Sequence, residues 1–276
     1  MSSENGFEIS EDGVITKYTG KETAIVIPQE IRGIAVRVIG KEAFCEKGLA
    51  NLVIPKGVTK IGDLAFAYNQ LARLTIPHSV TKIDGVAFAY NELTDIVIPD
   101  SVTEIGPVAF GYNQLATLTI PHSVTKIGNS AFHCNKLVGL VIPNNVTKIG
   151  KSAFSYNQLT NVVISESITK IDNYTFSYNQ LTTIVIPESV TTISEEAFAN
   201  NKLATIVIPS NVTKIGEKAF ANNQLNSITI CGKISLPRKS KYPKPAFDNS
   251  FDDFYKNNEK RIGTYLFDGK EWSIKK

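Results

Sequence analysis

The 276-residue chain has few of the residues that mark catalytic, metal or disulfide centres. It contains three histidines and three cysteines, and Cys45, Cys134 and Cys231 fall in unrelated sequence contexts. An odd, unpatterned set of cysteines argues against a disulfide framework and against a metal site. The sequence also lacks a phosphate-binding glycine loop, a Gly-x-Ser-x-Gly motif and a Cys-x-x-Cys pair. We therefore expect no catalytic residues, no metal and no cofactor, and the chain is predicted not to be an enzyme.

Long apolar runs are missing as well. None approaches the roughly 18 residues that would suggest a membrane-spanning helix. Residues 1–6 lack the basic start and apolar core of a secretory signal peptide. The formal charge of +3 is unevenly distributed, because residues 232–276 hold 11 basic and 6 acidic side chains whereas the remainder holds 18 and 20. The basic excess therefore lies at the C-terminal end.

The sequence is instead dominated by one 22-residue unit, of which eight copies follow one another over residues 49–224 without insertion or deletion. Counted from the leucine at position 1, phenylalanine occupies position 18 and asparagine occupies position 21 of every copy. The asparagines are Asn69, Asn91, Asn113, Asn135, Asn157, Asn179, Asn201 and Asn223. A fixed period between 20 and 50 residues is typical of a solenoid, in which each repeat is one coil stacked on the last.

The pattern within a copy predicts the coil. Apolar residues alternate at positions 4 and 6, which indicates a short strand that the proline at position 7 ends. Equivalent strands of stacked coils are expected to form a parallel sheet, and positions 10–13 give a second extended run. Position 14 is glycine in five of the eight copies and is predicted to lie in a turn with positive φ. Alanine at position 17 and phenylalanine at position 18 are predicted to fill the interior.

The asparagine column is predicted to be structural. Its amides can donate and accept, so stacked asparagines could satisfy backbone groups of neighbouring coils in a ladder. A catalytic role is disfavoured because eight equivalent copies cannot all form one active site.

The repeat reads Leu-x-x-Ile/Leu-x-Ile-Pro-x-x-Val-Thr-x-Ile-Gly-x-x-Ala-Phe-x-x-Asn, and it resembles the BspA-like (Treponema pallidum-type) leucine-rich repeats. The resemblance implies a right-handed leucine-rich-repeat solenoid that is mostly β and capped at both ends. It implies a concave parallel sheet, with short strands, turns and 3-10 segments on the convex side. Members of this family are mostly bacterial surface or secreted proteins that bind other proteins. A cell-surface or secreted location is therefore expected, with a cytoplasmic location as the alternative because residues 1–6 do not read as a signal peptide.

Three segments are predicted. Residues 1–48 form an N-terminal cap and an irregular first coil, residues 49–231 form the array, and residues 232–276 form a C-terminal cap. In the N-terminal cap, Asp12-Gly13 predicts a hairpin, and the extra residues 31–35 are expected to form a loop.

The C-terminal cap is predicted to contain a basic loop over residues 232–246, a short helix and a β-hairpin. The helix is expected over residues 250–258, capped by Asp248 or Asn249. Asp268-Gly269 predicts a two-residue hairpin turn. Trp272 is expected to pack this hairpin over the last coil, and an aromatic binding platform is the alternative.

Three exposed columns of side chains are candidate binding surfaces. Position 20 carries Tyr68, Tyr90, Tyr112, Tyr156 and Tyr178. These rings could stack for stability or contact a partner, and the two roles are compatible. Position 12 carries mostly lysine, which could meet an acidic partner or simply solvate the surface. The outward face of the first strand has valine or threonine at position 5 and variable residues at position 3, among them Arg73, Asp95 and Asn161.

These features predict a non-catalytic protein-binding or adhesion module that presents a repeat surface to a protein partner. The alternative is carbohydrate or cell-envelope binding through the tyrosine column and the basic C-terminal cap. Nucleic acid is not an expected partner, because basic and aromatic residues do not alternate on a single face. We expect a monomer.

Overall fold

A computed structural model describes residues 6–237 and 245–275 of the chain, which divides into two units, Met1–Leu137 and Val138–Lys276. The basic residues Arg238, Lys239, Lys241 and Lys244 of the expected basic loop lie outside the described residues. Each unit is a β-solenoid in which coils stack with their short strands parallel. The mostly β leucine-rich-repeat architecture expected from the sequence is confirmed.

The first unit contains thirteen short strands among its described residues. They are β1 (Phe7–Ile9), β2 (Val14–Tyr18), β3 (Ala24–Val26), β4 (Glu30–Ile31), β5 (Ile34–Ala35), β6 (Val38–Ile39), β7 (Asn51–Val53), β8 (Lys60–Ile61), β9 (Arg73–Thr75), β10 (Lys82–Ile83), β11 (Asp95–Val97), β12 (Glu104–Ile105) and β13 (Lys126–Ile127).

The second unit contains ten strands and one helix among its described residues. They are β14 (Gly139–Val141), β15 (Lys148–Ile149), β16 (Asn161–Val163), β17 (Lys170–Ile171), β18 (Thr192–Ile193), β19 (Thr205–Ile208), β20 (Lys214–Ile215), β21 (Ser227–Ile230), α1 (Phe251–Asn257), β22 (Gly263–Phe267) and β23 (Trp272–Ile274).

Each coil has two strand positions, and they pair differently. In the first unit, the two-residue strands at positions 12 and 13 form the longer ladder together with β2 and β6, which precede the repeats, and this ladder runs β2-β6-β8-β10-β12-β13. The strands at positions 3–5 pair in twos, as β3 with β7 and β9 with β11. No strand forms at positions 3–5 of the coils that carry Leu118 and Ile184, whose side chains are only half-buried. The sheet expected from equivalent strands is therefore interrupted on this side.

The turn that follows the position-12 strand differs from the expectation for glycine. Positive φ falls at positions 16 and 20, as at Leu64 (54°) and Tyr68 (56°), and not at the position-14 glycines. Glycine is favoured at position 14 where the backbone of the preceding coil passes close by, although Asp84, Asp172 and Ser194 occupy this position in three copies. A Cβ atom added at Gly106 would lie 2.4 Å from the carbonyl carbon of Asp84. The convex side was expected to contain 3-10 segments, but within residues 6–237 and 245–275 it contains turns. A 3-10 helix needs successive hydrogen bonds from residue i to residue i+3, and the left-handed residue at position 16 interrupts this series.

Phenylalanine at position 18 forms the core. In the first unit, the ring of Phe88 stacks between those of Phe66 and Phe110, with centroid distances of 5.4 and 5.5 Å. All three side chains are fully buried. The backbone runs in register with this stack, because the Phe66 N–H donates to the Ala87 carbonyl of the next coil at 2.8 Å. Side-chain packing and backbone hydrogen bonding therefore share one repeat distance.

Asparagine at position 21 closes each coil. The Asn91 Nδ2 group donates to the carbonyls of Phe88 and Ala89 in its own coil and to the carbonyl of Phe66 in the preceding one, at 3.2, 3.2 and 2.9 Å. Its Oδ1 atom accepts from the N–H of Leu71, the first residue of its coil, at 3.1 Å. The side chain is 7% exposed, so these backbone groups have little access to water and depend on the amide.

The N-terminal cap contains the expected hairpin of β1 and β2. The expected loop over residues 31–35 is wrong in part, because β4 and β5 form a second, antiparallel hairpin there. Its two central residues, Arg32 and Gly33, have φ values of 53° and 75°, as a type I′ turn requires. Tyr18 extends the aromatic core, since its ring stacks on Phe44 at 5.3 Å.

The C-terminal cap extends the core with residues outside the repeat. Phe247 stacks on Phe220 at 5.0 Å, and Phe251 of α1 meets Phe247 edge-on. Trp272 is only 6% exposed, contacts Phe251 and donates from its Nε1 atom to the Asn249 carbonyl at 3.0 Å. Its burial excludes the aromatic-platform alternative.

Two details of this cap correct the expectations. The N-cap residue of α1 is Ser250, with positive φ and no side-chain capping bond. Asp252 instead accepts hydrogen bonds from the N–H groups of Ala246 and Phe247. The β22–β23 hairpin pairs Phe267 with Trp272, so its loop has four residues and not two.

The phenylalanine stack predicts a large loss of stability on truncation. Phe88→Ala should lower the free energy of unfolding by about 3–5 kcal/mol, because it removes a fully buried ring between two others and leaves a cavity. Val97→Thr is the control, since Val97 is exposed and threonine occupies the same repeat position elsewhere. Chemical denaturation measures both. Equal stability of the two variants would show that the stack is not the core.

The asparagine hydrogen bonds predict a second loss. Asn91→Ala leaves the buried N–H of Leu71 without its partner and removes one of the two amide groups that donate to the Phe66 carbonyl, the other being that of Asn69, so we expect a cost of about 2–3 kcal/mol. Glu92→Ala, at the exposed neighbouring residue, should change stability by less than about 0.5 kcal/mol. Thermal and urea unfolding of both variants check this difference.

Candidate functional site: the exposed columns of the coils

One flank of the coil, from position 20 to position 5 of the next repeat, alternates between buried and exposed residues. Around Asn91, the exposed residues are Tyr90, Glu92, Thr94, Asp95 and Val97. The residues between them, Asn91, Leu93 and Ile96, are buried. The tyrosine column and the outward face of the first strand therefore lie on the same flank and are candidates for one continuous surface.

The tyrosines at position 20 stack face to face. In the first unit, the rings of Tyr68, Tyr90 and Tyr112 form a triple stack with centroid distances of 4.4 and 4.3 Å and nearly parallel planes. In the second unit, Tyr156 and Tyr178 stack at 4.2 Å. The predicted stacking is observed. The rings remain between 36% and 47% exposed, so their edges and hydroxyl groups are open to a partner.

The backbone of the column tyrosines has an unusual conformation, and this conformation aligns their rings. All five tyrosines have φ between 55° and 57°, a left-handed region that L-residues other than glycine, asparagine and aspartate rarely occupy. Asn200 and Asn222 take the same position in the second unit, and the Asn222 Nδ2 atom donates to the Asn200 Oδ1 atom at 2.8 Å. The positive φ at position 20 was not predicted from the sequence. Asn200 and Asn222 could have indicated it, because asparagine tolerates positive φ.

The hydroxyl groups of Tyr68 and Tyr90 are held in their neutral form. Loss of water contact beside neighbouring side chains raises the pKa of Tyr68 and of Tyr90 above the usual value, and the adjacent tyrosine hydroxyl raises it further. A neutral phenol both donates and accepts hydrogen bonds. The column therefore offers aromatic edges and adaptable polar groups without charge.

The predicted residues at position 3 are exposed but do not form one cluster. Arg73 lies opposite Asp95 in the β9–β11 register of the first unit. Asn161 lies opposite Gly139 in the β14–β16 register of the second unit. A Cβ atom at Gly139 would come within 2.9 Å of the Asn161 Oδ1 atom, so the asparagine amide covers the glycine.

Exposed valines follow the same flank at position 5. In the second unit four successive coils present Val141, Val163, Val185 and Val207, which are 54–80% exposed. In the first unit, Asp95 and Val97 line a groove of about 370 Å³ together with residues of the adjacent coils. This flank has an apolar character in the second unit and mixed charge in the first.

The lysine column at position 12 is partly neutralised by acidic residues. Lys60 and Lys82 both approach Asp84, at 2.9 and 3.3 Å, and Lys126 pairs with Glu104 at 2.6 Å. Exposed pairs of this kind contribute little to stability. They reduce the positive field that would attract an acidic partner.

The described residues 6–237 and 245–275 contain no group of three or more histidine, cysteine or acidic side chains that could hold a metal ion. His78 and His122 are exposed at the surface. The same residues contain no helix of the length and apolarity that crossing a membrane demands. The exposed columns of the described residues present aromatic, apolar and amide groups.

Stacked coils with a leucine at each first position and an asparagine that closes the coil define a leucine-rich-repeat protein. Residues 18–138 and 127–250 match the family model described as the BspA type leucine rich repeat region (6 copies). The chain therefore belongs to the BspA-type leucine-rich-repeat family, as the resemblance in its sequence indicated. Comparison with curated proteins finds no match.

Several solved structures are similar to this chain. A leucine-rich repeat protein from Bacteroides ovatus ATCC 8483 aligns with a TM-score of 0.52 and 22% identity, over 84% of this chain and 63% of that one. The pneumococcal vaccine antigen PcpA aligns with a TM-score of 0.52 and 21% identity, over 80% and 75%. A leucine rich cell surface protein from Faecalibacterium prausnitzii A2-165 aligns with a TM-score of 0.47 and 24% identity, over 92% and 96%.

The stacking geometry predicts unequal costs along the tyrosine column. Tyr90 contacts a ring on each face and Tyr68 contacts one, and each contact contributes about 0.5–1.5 kcal/mol. Tyr90→Asn should therefore lower the free energy of unfolding about twice as much as Tyr68→Asn. Asparagine is the substituted residue because it tolerates the positive φ at this position. Equal costs, measured by denaturation, would contradict the stack.

Proposed function

We propose that the chain is a non-catalytic protein-binding or adhesion module that presents the flank from position 20 to position 5 to a protein partner. The exposed tyrosine stacks support this most strongly. Tyrosine is enriched at protein interfaces because it offers a large amphipathic contact at low entropic cost. The proposed contact residues are Tyr68, Tyr90, Tyr112, Tyr156, Tyr178, Arg73, Asp95 and Asn161.

Pre-organisation makes these tyrosines suitable for binding. A ring held between two others has already lost much of its rotamer freedom, so a partner that contacts its edge orders less on association. Adjacent coils repeat the same contact, and several weak contacts on one surface add to the affinity. The neighbouring valine and threonine column contributes apolar area without charges that must be desolvated.

The same stacks weaken the carbohydrate alternative. A sugar ring packs best on an open aromatic face, whereas both faces of Tyr90 are covered by Tyr68 and Tyr112. At Tyr90 only the ring edge and the hydroxyl group remain accessible. The basic residues invoked for that alternative include Arg238–Lys244, which lie outside the described residues.

A cell-surface or secreted location accompanies the proposed function. It rests on the family and on the name of one similar structure, a leucine rich cell surface protein. An adhesion module acts where it can meet a partner of another cell, so location and function are proposed together.

The decisive experiment measures binding to a panel of purified extracellular-matrix proteins. The test variant replaces the five column tyrosines by asparagine, the residue that this chain itself carries at positions 200 and 222. The matched control replaces Lys60, Lys82, Lys126, Lys148 and Lys170 by threonine, which position 192 carries. We expect at least about tenfold weaker binding of the tyrosine variant, from several lost contacts of about 0.5–1.5 kcal/mol each.

The lysine variant should bind like the unmodified chain, and affinity should persist in high salt. Equal binding of all three proteins would exclude the tyrosine edge as the site. Competition by soluble glycans would favour the carbohydrate alternative. Absence of any matrix-protein binding by the unmodified chain would contradict the adhesion function.

A further inference from the structure

The two caps cover different strand columns. In the second unit, β22 pairs with β21 and so covers the last strand at positions 3–5. In the first unit, the β1–β2 hairpin pairs with β6, which belongs to the other column. The first strand at positions 3–5, β3, has β7 on one side, and no strand within residues 6–237 and 245–275 pairs with its other side.

The backbone of β3 presents free groups on that open side. The Thr23 carbonyl accepts from the Asn51 N–H at 3.1 Å, and the Ile27 N–H donates to the Val53 carbonyl at 3.0 Å. Residues 23, 25 and 27 therefore direct their polar groups towards β7. Because successive residues of a strand alternate between the two edges, Ala24 and Val26 direct their N–H and C=O groups outward. An edge of this kind is a template for another strand.

A groove of about 560 Å³ lies beside this edge. Its lining includes Phe7 and Tyr18, which are only 6% and 1% exposed, and the exposed residues Ala24 and Val26. Glu22 is the one charged residue among those that line it. The Tyr18 hydroxyl donates to the Glu22 Oε2 atom at 2.6 Å, and this hydrogen bond holds the pKa of the Glu22 carboxyl below its usual value. The carboxylate is therefore ionised at neutral pH.

The shape and charge of the groove select the occupant. The edge is three residues long, about 10 Å, whereas a stable pair of folded proteins buries about 800 Å² on each partner. A short extended segment fits this edge better than a second folded copy. A strand with apolar side chains at alternate positions would place them beside the exposed Val26 side chain, and the lone Glu22 carboxylate favours a basic residue at one end.

We propose that the outer edge of β3 is a strand-addition site for an extended peptide segment of another protein, with alternating apolar residues and a lysine or arginine beside Glu22. Main-chain hydrogen bonds to Ala24 and Val26 hold the peptide, and the groove and the carboxylate select its sequence. This site is separate from the tyrosine column, so its test does not depend on the proposed function.

The test uses the full chain and the labelled peptide Lys-Thr-Val-Thr-Val-Thr, followed by fluorescence anisotropy and backbone amide hydrogen exchange. On binding, the amides of Ala24 and Val26 should become protected, while those of Ile25 and Ile27 should be unchanged. Peptides with glutamate in place of lysine, or with proline in place of valine, are the ligand controls and should bind more weakly.

Val26→Pro is the decisive variant. It removes an N–H that faces away from β7, so the β3–β7 pairing is retained, and binding should weaken about tenfold or more. Val26→Thr keeps the N–H and should bind like the unmodified chain. Glu22→Gln retains an acceptor for the Tyr18 hydroxyl, and it should weaken the lysine peptide about two- to fivefold.

Three results would overturn the proposal. The first is no binding at peptide concentrations up to about 1 mM. The second is binding without alternating protection at Ala24 and Val26, or equal binding by Val26→Pro. The third is protection of these two amides that rises with protein concentration alone, which would identify a second copy as the occupant.

Discussion

The asparagine amide at position 21 is the interaction on which the coils depend. A coil that turns back on itself within 22 residues leaves backbone carbonyls and N–H groups pointing into a space from which water is excluded. One side chain with two donors and an acceptor satisfies them, as Asn91 does for Leu71 and Phe88. Because the same amide also reaches Phe66 of the preceding coil, closing one coil fixes it to its neighbour.

The exposed surface follows from that closure. The chain reaches each asparagine through a residue with positive φ, and this conformation directs the position-20 side chains outward in register. Rings spaced by one coil then lie 4.2–4.4 Å apart, which is stacking distance. The positive φ of each tyrosine costs free energy, and the stacking of its ring on a neighbouring ring offsets part of that cost. The edges of the stacked rings remain exposed to solvent. The proposed recognition surface is therefore a product of the same backbone geometry that builds the core.

The repeat period made part of this structure predictable. It identified equivalent residues, so the phenylalanine stack and the tyrosine column could be read from the sequence. The period could not give the backbone angles. Glycine at position 14 was predicted to have a positive φ, whereas at Gly106 the absence of a side chain leaves room for the backbone of the preceding coil at Asp84. The caps lack a period altogether. The hairpin at Arg32 and Gly33 is a local turn outside the repeat, and the stacking of Phe247 on Phe220 is a tertiary contact that no spacing encodes.

Packing and hydrogen bonding share a 22-residue register, and a deletion within the array is the most informative test of this shared register. Removing residues 88–109 joins Ala87 to Phe110 and leaves every remaining coil at 22 residues, whereas removing residues 88–108 retains one extra alanine in the buried turn. The measurement is the thermal unfolding midpoint of both shortened chains. We expect cooperative unfolding near the original midpoint for the chain that lacks residues 88–109, and a midpoint lower by several degrees for the chain that lacks residues 88–108. Equal midpoints would contradict a shared 22-residue register.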